Sequence, residues 1–412
     1  MTRTNEKAAV PRLRFKGCEG EWEDLELSEY FTLRNESNES GAVKEILSVL
    51  KDVGVILYSD KGNIGNRAKD DVTHYKIAHK GDIVLNSMNV LIGSVGVSRY
   101  DGCISPVYYA LAPKMNCCPE YFGYWFWRKE TQKLLVAQAC GMMEIRRKIS
   151  ERDLLAISRP TPPLPEQKFI GNCLLSIDHL LKSSSSRLAS LRQLKRAMLV
   201  KMFPRPGQCV PEIRFKEFDG KWEEMRVRDV AERVTRKNVN RESDLPLTIS
   251  AEHGLIDQKE VFNNRIAAKD VSNYYLVVNG EFAYNRSTSD GAPFGAVKRL
   301  DRYPKGVLST LYMVFALKGA TVDSDYLVQY YATDLWHRDI ALRAAEGARN
   351  HGLLNISVED FFDTRIIVPS SLPEQRKIAA FFRNLDRLIW AAEKKATKLR
   401  QVKASLLERM FA

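Results

Sequence analysis

Residues 372–412 read LPEQRKIAAFFRNLDRLIWAAEKKATKLRQVKASLLERMFA, and residues 164–203 read LPEQKFIGNCLLSIDHLLKSSSSRLASLRQLKRAMLVKMF. Both stretches open on Leu-Pro-Glu-Gln and close on Met-Phe. The spacing is also the same, since 203 − 164 and 411 − 372 both equal 39. Matching ends at matching spacing indicate an internal duplication.

Each copy is predicted to form one long helix. Pro165 and Pro373 suit the first turn, where a missing N–H is harmless, and Glu166 and Glu374 place negative charge at the positive end of the dipole. At 1.5 Å per residue, each helix would be about 55–60 Å long. Apolar residues recur at intervals of three and four. They are Ile170, Leu174, Ile177, Leu181, Leu188, Leu191, Leu194, Met198 and Met202 in the first copy, and Ile378, Phe381, Leu385, Leu388, Ala392, Leu399, Val402, Leu406 and Met410 in the second.

An apolar stripe of this length needs a partner, because alone it would expose a row of leucines to water. The simplest partner is the other copy, which predicts an antiparallel two-helix coiled coil. The alternative is two ordinary core helices in separate domains. The run Ser183–Ser186 departs from the second copy, which has Glu393–Lys395 nearby, and is expected to weaken the seam locally.

The duplication extends beyond the helices. The opening Val10–Lys16 is followed by Gly20 and Trp22, and it returns as Val210–Lys216 at an offset of 200. Each repeat therefore begins and ends in the same way. The predicted domains are residues 1–163 (first globular domain), 164–203 (central long helix), 204–209 (linker), 210–371 (second globular domain) and 372–412 (distal long helix).

Between these ends the two repeats share only scattered landmarks. Gly81-Asp82-Ile83 and Asn86 match Gly280-Glu281-Phe282 and Asn285 at an offset of 199, and Ile149-Ser150 matches Ile356-Ser357 at 207. Each repeat is predicted to be an α+β globule of about 150 residues followed by a long helix, whereas a tandem β-rich barrel would leave the helical stretches unexplained. Strands are predicted at 53–58, 82–85, 93–97, 276–278 and 311–317, and helices at 121–138 and 326–345.

Composition is that of a soluble globular protein, with 44% apolar and 28% charged residues. The net charge is 63 − 51 = +12. A basic surplus is typical of nucleic-acid binding, but many basic proteins bind nothing anionic, so composition alone leaves both interpretations open. Seven scattered cysteines without a C-x-x-C pair, no apolar run of membrane-span length and no signal-peptide core predict a cytoplasmic protein with free thiols and no membrane contact.

Catalytic motifs are missing from the sequence. It contains no phosphate-binding P-loop, no dinucleotide-binding glycine motif, no H-E-x-x-H and no G-x-S-x-G. Glu166-Gln167-Lys168 resembles half of a nuclease site, but the helix dipole explains the glutamate, and the second copy has Arg376 in place of the lysine. The chain is therefore predicted to bind rather than catalyse, with no catalytic residue, no metal site and no cofactor of its own.

The first candidate binding set follows the matched Gly-acid strand in each repeat. Asparagine and arginine suit bidentate hydrogen bonds to adenine and guanine edges. The competing interpretation is a turn satisfied by its own side chains, and the sequence leaves the two equal. The set is Asn86, Ser87, Asn89, Asn285, Arg286 and Ser287.

Two further sets are basic. One lies in loops just before the matched Ile-Ser pair, where point charges suit phosphate contacts, and the other is a weaker group on neighbouring segments. The loop set is Arg146, Arg147, Lys148, Arg349, Asn350 and His351, and the weaker group is Arg99, Tyr100, Lys298 and Arg299.

The paired LPEQ…MF blocks, the paired P-x-[LI]-R-F openings and the divergent segments between them resemble the specificity (S) subunit of type I restriction-modification enzymes, over almost the whole chain. The resemblance implies two tandem α/β target recognition domains, each followed by a long helix, with the helices pairing as an antiparallel coiled coil of pseudo-twofold symmetry. Each domain would read one half of a bipartite target in double-stranded DNA, and the helices would set the spacing of the halves.

The resemblance also implies partners. Two modification subunits would dock on the conserved regions and methylate adenine with S-adenosylmethionine, and restriction subunits would add an ATP- and Mg²⁺-dependent nuclease. These cofactors would belong to the partner subunits. The alternative is a coiled-coil protein-interaction scaffold that does not read DNA.

Overall fold

A computed structural model describes residues 10–51, 53–61, 71–88, 93–139, 148–250, 254–260, 267–268, 270–288, 291–344 and 354–411. The chain forms two compact units, Met1–Ser186 with Glu393–Ala412, and Arg187–Ala392. The predicted domain limits follow the sequence repeats. The compact units instead divide the chain inside both long helices, so each unit contains part of each helix.

The first unit is built on a four-stranded antiparallel sheet of order β2-β9-β6-β7, with three two-stranded pairs, β1-β10, β3-β4 and β5-β8. Its elements in chain order are β1 Glu23–Glu26, α1 Leu27–Tyr30, β2 Phe31–Arg34, β3 Leu47–Leu50, β4 Gly54–Leu57, β5 Lys76–Ala78, β6 Ile83–Asn86, β7 Val95–Val97, β8 Gly102–Ile104, β9 Tyr108–Pro113, α2 Pro119–Trp127, α3 Lys129–Gln138, α4 Glu151–Leu155, β10 Ser158–Thr161 and α5 Leu164–Lys201.

The second unit repeats this topology, with a sheet of order β12-β19-β16-β17 and the pairs β11-β20, β13-β14 and β15-β18. Its elements are β11 Glu223–Arg226, α6 Val227–Val230, β12 Ala231–Arg233, β13 Leu247–Ser250, β14 Gly254–Asp257, β15 Tyr275–Val278, β16 Phe282–Asn285, β17 Ala296–Arg299, β18 Lys305–Leu308, β19 Met313–Leu317, α7 Ser324–Tyr330, α8 His337–Arg343, α9 Val358–Phe362, β20 Arg365–Val368 and α10 Leu372–Arg409.

The predicted α+β class with a long helix after each sheet-rich segment is confirmed, and the predicted strands lie within two residues of observed ones. Each predicted helical stretch is two helices. In the first unit the break falls at Arg128, whose backbone is extended (φ −66°, ψ 142°) between α2 and α3. The spacing of apolar residues is similar on both sides of this break, so the sequence pattern predicts a single helix there.

The two long helices, 38 residues each, run antiparallel within each unit. In the first unit Lys403 Nζ of α10 lies 2.6 Å from Asp178 Oδ1 of α5. Met410, seven residues later than Lys403, shares a core with Leu174, four residues earlier than Asp178, so the two helices run in opposite directions. In the second unit Lys195 Nζ lies 2.6 Å from Asp386 Oδ1. These ion pairs are equivalent, because the two helix copies are offset by 208 residues, which relates Asp178 to Asp386 and Lys195 to Lys403.

The helix seam follows a strict alternation of three and four residues, and every seam residue is buried or half-buried. The seam comprises Ile170, Leu174, Ile177, Leu181, Ser184, Leu188, Leu191, Lys195, Met198 and Met202 in α5, and Ile378, Phe382, Leu385, Ile389, Ala392, Ala396, Leu399, Lys403, Leu406 and Met410 in α10.

This seam corrects the predicted stripe at several positions. Leu194 and Leu388 are each 45% exposed, and Phe382 rather than Phe381 is buried. Small residues and a lysine occupy positions that the prediction passed over because it followed large apolar residues. Ser184, from the serine run, is only 7% exposed, and α5 continues through it without interruption.

The first turn of each long helix is clamped to the opening of its own repeat. Arg14 donates to both carboxylate oxygens of Glu166, at 2.9 and 2.6 Å, and Arg214 does the same to Glu374, at 2.7 and 2.8 Å. Both glutamates are buried. The two sequence signatures, P-x-[LI]-R-F and LPEQ, therefore occur together because each supplies half of a buried ion pair, and loss of either half would cost about 3–5 kcal/mol.

The glutamine of LPEQ has an equally defined role. The side chain of Gln167 accepts from the backbone N–H of Cys118, which caps α2, and donates to the carbonyl of Pro162. Gln375 likewise accepts from Asp323 N and donates to Pro369 O. These bonds give the glutamine of the motif a structural role in both units.

The Met-Phe end of each helix completes a core. In the first unit the ring of Phe411 stacks on Tyr121 at 5.0 Å. In the second unit Phe203 packs against Tyr326 at 5.6 Å and against Trp222 at 6.0 Å. Helix α5 thus begins in the first unit and ends in the core of the second, whereas α10 does the reverse.

Truncation of either terminal phenylalanine should therefore destabilise the unit in which its helix ends. We expect Phe411→Ala to cost about 3–5 kcal/mol in the first unit and Phe203→Ala a similar amount in the second, because each leaves a cavity in an aromatic core. Amide hydrogen exchange measured by mass spectrometry would locate the loss. The exposed Leu388→Ala is the matched control, and equal loss of protection in both units from one substitution would contradict the assignment.

Candidate nucleic-acid interface

The first candidate set lies where β6 and β16 end. Asn86 Oδ1 accepts a hydrogen bond from Met88 N at 3.2 Å, and Asn285 Oδ1 accepts one from Ser287 N at 3.0 Å. Both asparagines therefore form the self-satisfied turn that was the competing interpretation. Such a turn uses one acceptor position of the side-chain oxygen, so the second acceptor position and the amide N–H donors can still contact a base.

The next residue in each turn anchors it to the neighbouring strand connection. The hydroxyl of Ser87 donates to Val107 O at 2.5 Å, and the guanidinium of Arg286 donates to Leu311 O at 3.4 Å. The strand registers make Ser87 equivalent to Arg286 and Val107 equivalent to Leu311. Ser87 is fully buried, and Arg286 is half-buried.

Arg286 also compensates for a difference between the sheets. In the first unit, Tyr109 OH donates to Ile149 O at 3.1 Å. The equivalent residue in the second unit is Met313, which cannot donate, and Arg286 Nη1 bonds the matching carbonyl of Ile356 at 3.2 Å. The same backbone acceptor is satisfied from a different element, so the frame stays constant while side chains change.

In each unit the turn of the first set is hydrogen-bonded to a described residue that follows the loop set in the chain. Ile149 N donates to Ser87 O at 3.3 Å, and Leu354 N donates to Arg286 O at 3.0 Å. Lys148, next to Ile149, is exposed. Ile149 and Leu354, which follow residues 140–147 and 345–353 in the chain, thus lie directly against the predicted base-reading turns. The candidates Asn89, Arg146, Arg147, Arg349, Asn350 and His351 lie outside the described residues.

The weaker set is not brought together in this way. Arg99 and Tyr100 are exposed and follow β7, but the strand registers align Lys298 and Arg299 with Gly96 and Val97. Arg299 is held in ion pairs with Asp301 and Asp325, both at 2.6 Å. The pKa of Lys298 is lowered by burial and by the charge of Lys195, whereas the charge of Asp386 acts in the opposite direction.

The acid of the matched Gly-acid pair positions the strand that carries the asparagine. Asp82 accepts from Arg34 Nε at 2.7 Å and from His79 N at 2.9 Å. In the second unit Glu281 accepts from Arg236 at 2.9 Å and from Val278 N at 2.8 Å. The acids are therefore structural, and they fix where β6 and β16 begin.

Sequence reasoning missed a second supporting pair. Asn38 and Asn238, at the same offset of 200 as the repeat openings, are both buried. Asn38 Nδ2 donates to Val43 O, and Asn238 Nδ2 donates to Ser243 O, each at 2.8 Å. The signal in the sequence is the offset of 200, which aligns two identical polar residues in the two repeats.

His79 carries a charge-sensitive contact in the first unit. Its Nε2 lies 3.1 Å from Glu36 Oε2, and its Nδ1 lies 3.1 Å from Asp101 Oδ1. The bond to Glu36, and then the bond to Asp101, raise the pKa of His79, whereas burial and the nearby Arg34 act against them. Both ring nitrogens can donate only when the ring is protonated.

In the described part of the chain, no three His, Cys, Asp or Glu side chains come together as a metal site, and no helix is long and apolar enough for a membrane span.

No family model matches the sequence. The crystal structure of a type I restriction-modification system S subunit from M. genitalium does match, with a TM-score of 0.58 and 14% identity, over 98% of this chain and 99% of that one. The chain has the fold of a type I S subunit.

Two further solved structures resemble it with lower scores. A chain from a structure of the type I R-M system, described for its complex assembly and conformational transition, matches with a TM-score of 0.47 and 13% identity, over 96% of this chain and 98% of that one. The HsdS subunit from Thermoanaerobacter tengcongensis matches with a TM-score of 0.44 and 15% identity, over 95% and 96%. In this chain the strand registers place the turns at Asn86 and Asn285 in equivalent positions of the two sheet-rich units.

The stability of the first unit should fall as pH rises. Because the pKa of His79 is raised in the folded state, its contribution is complete below the unfolded value of about 6.5 and is lost as pH rises through the higher folded pKa. Hydrogen exchange of the first unit between pH 6 and 9 would measure this. His79→Gln should remove the dependence, and parallel pH profiles for the wild type and the variant would contradict the assignment.

Asn285→Asp separates turn formation from base reading. Aspartate still accepts from Ser287 N, so the turn should persist, but the N–H donor that adenine N7 requires is lost. If Asn285 reads a base, target affinity should fall about tenfold or more. Repulsion by the new charge would fade as salt rises, so a deficit that vanishes at high salt would contradict a base contact.

Proposed function

We propose that this chain is the sequence-specific DNA-recognition subunit of a type I restriction-modification complex. Each sheet-rich unit reads one half of a bipartite target in double-stranded DNA, and the long helices set the spacing of the halves. The observation that carries the proposal is the duplicated frame: the same sheet order, clamps and strand-end asparagines occur twice, on a chain with the S-subunit fold.

The differences between the units support two distinct readers. Ser87 and Arg286 occupy the same place and bond the same carbonyl, yet one is short and neutral and the other is long and charged. A frame that tolerates such exchange can present different side chains to different half-sites. Base readout then comes from the turns, and phosphate contact comes from the basic loops beside them.

We further propose that two modification subunits dock on the duplicated frame and that restriction subunits join them. Exposed apolar side chains on the long helices suit protein partners, because aromatic side chains such as those of Phe169 and Trp390 are enriched in protein–protein interfaces. They are Phe169, Leu180, Leu194, Val200, Leu388 and Trp390. In this assembly S-adenosylmethionine, ATP and Mg²⁺ serve the partner subunits, and the complex works in the cytoplasm.

Exchange of one segment tests the two-reader proposal. Residues 11–160 would be replaced by the corresponding segment of an S subunit with a different target, and the methylated sites would be read by methylome sequencing. We expect one half of the recognised sequence to change and the other to stay. Exchange of residues 211–368 is the reciprocal control, and a change in both halves from either exchange would contradict the proposal.

The salt dependence of DNA affinity distinguishes the proposed DNA-reading subunit from the alternative, a protein-interaction scaffold. A DNA-reading complex of this chain with its modification subunits should lose duplex affinity steeply as salt rises, since each phosphate contact releases a counterion. A scaffold that binds no DNA would show no such loss.

A further inference from the structure

The positive charge of this protein is concentrated on its two long helices. Helix α5 has seven basic and two acidic residues, and α10 has ten and four, so the helices carry 17 − 6 = +11 of the net +12. The rest of the chain is almost neutral. The charge surplus that indicates nucleic acid therefore lies mainly outside the reading turns and loops.

Within the first unit the surplus is carried by the last part of α10. Between Glu393 and Glu408 there are five basic residues and no acid. Lys403 forms an ion pair with Asp178 in the seam. Lys395 and Lys398 are exposed, and neither forms an ion pair within the part of the chain that the structure describes. Their charge is available to an outside partner.

The serine run lies on the facing helix at the same levels. The Asp178–Lys403 pair sets the antiparallel register, so Ser183, five residues after Asp178, lies level with Lys398, five residues before Lys403. By the same count Ser186 lies level with Lys395. Both serines are exposed. One stretch of the helix pair therefore carries a lysine and a hydroxyl at each of two successive levels.

The chemistry of this stretch fits phosphate better than protein. Lysine and serine are both depleted in protein–protein interfaces, whereas lysine and serine side chains are regular donors to DNA phosphates. The exposed apolar side chains of the first unit's helices, Phe169 and Leu180, lie nearer the start of α5. The lysine–serine stretch lies within about six residues of the points where the compact units divide, and both helices continue through those points.

We propose that Lys395 and Lys398, with Ser183 and Ser186, contact the phosphate backbone of duplex DNA between the two half-sites. This inference rests on the proposed function and adds a third contact region to it. The contact positions DNA without reading bases. Phosphate contact would also give a role to Ser183 and Ser186, which are exposed and therefore do not take part in the seam.

The test is the salt dependence of DNA binding by the complex of the full chain with its modification subunits. Lys395→Gln combined with Lys398→Gln should reduce the slope of log affinity against log salt by about 1.8, or 0.9 for each lost phosphate contact. Affinity at 0.1 M salt should fall about tenfold, by the same factor for target and random duplexes. Ser183→Ala combined with Ser186→Ala should lower affinity less and leave the slope nearly unchanged.

Lys129→Gln combined with Lys133→Gln is the matched control, because these lysines are also exposed and lie one turn apart on a helix of the first unit. An unchanged slope in this control and a reduced slope in the helix variant would support the inference. Equal slopes in both would overturn it while leaving the proposed function intact. Loss of modification subunits from the helix variant, measured by mass photometry, would assign the stretch to a protein interface and overturn it as well. If the wild-type complex bound no DNA, both proposals would fail.

Discussion

Two lysine–aspartate pairs, Lys403–Asp178 and Lys195–Asp386, fix the register of the helix seam on which both units depend. Each lysine occupies a seam position that would otherwise be apolar, and in coiled coils a single polar residue there selects one register over others at some cost in stability. A shift by one heptad would separate each lysine from its aspartate and leave a half-buried charge unpaired. The seam is therefore held in one alignment by charge, while its apolar residues supply most of the association energy.

From this alignment follows the way each core is closed. A helix that begins in one unit ends with its Met-Phe pair in the core of the other. Phe203, which closes the first repeat, is therefore a core residue of the second unit, and Phe411, which closes the second repeat, is a core residue of the first unit. The first turns are fixed at the opposite ends by the clamps of Glu166 with Arg14 and Glu374 with Arg214. Each helix is thus held at both ends as well as along its seam. A change in helix length would have to preserve all three constraints, which explains why the two copies keep the same spacing.

The sheet-rich units separate support from presentation. Buried acids fix where β6 and β16 begin, and backbone carbonyls anchor the turns where these strands end. These supports are equivalent in both units even where the donating side chain differs, as with Tyr109 and Arg286. What varies is carried on turns and loops beyond that point. An element of this kind can change its exposed residues without disturbing the core, because surface loops tolerate sequence variation. Most of the protein's net charge, by contrast, is on the helices.

The sequence by itself determined the duplication, the two long helices, the α+β class and the pairing of the helices, because these rest on repeated motifs and on local periodicity. It also placed Asn86 and Asn285 at equivalent strand ends. It could not select the seam residues correctly, since Ser184, Ala396 and Lys403 are not large apolar residues and their burial depends on the facing helix. Nor could it show that Arg286 replaces the hydroxyl of Tyr109, or that Lys298 aligns with Gly96, because strand register depends on contacts distant in sequence. Only the tertiary structure decided which polar residues support the fold and which stay exposed, since burial and partners are set by residues as far apart as Asp178 and Lys403.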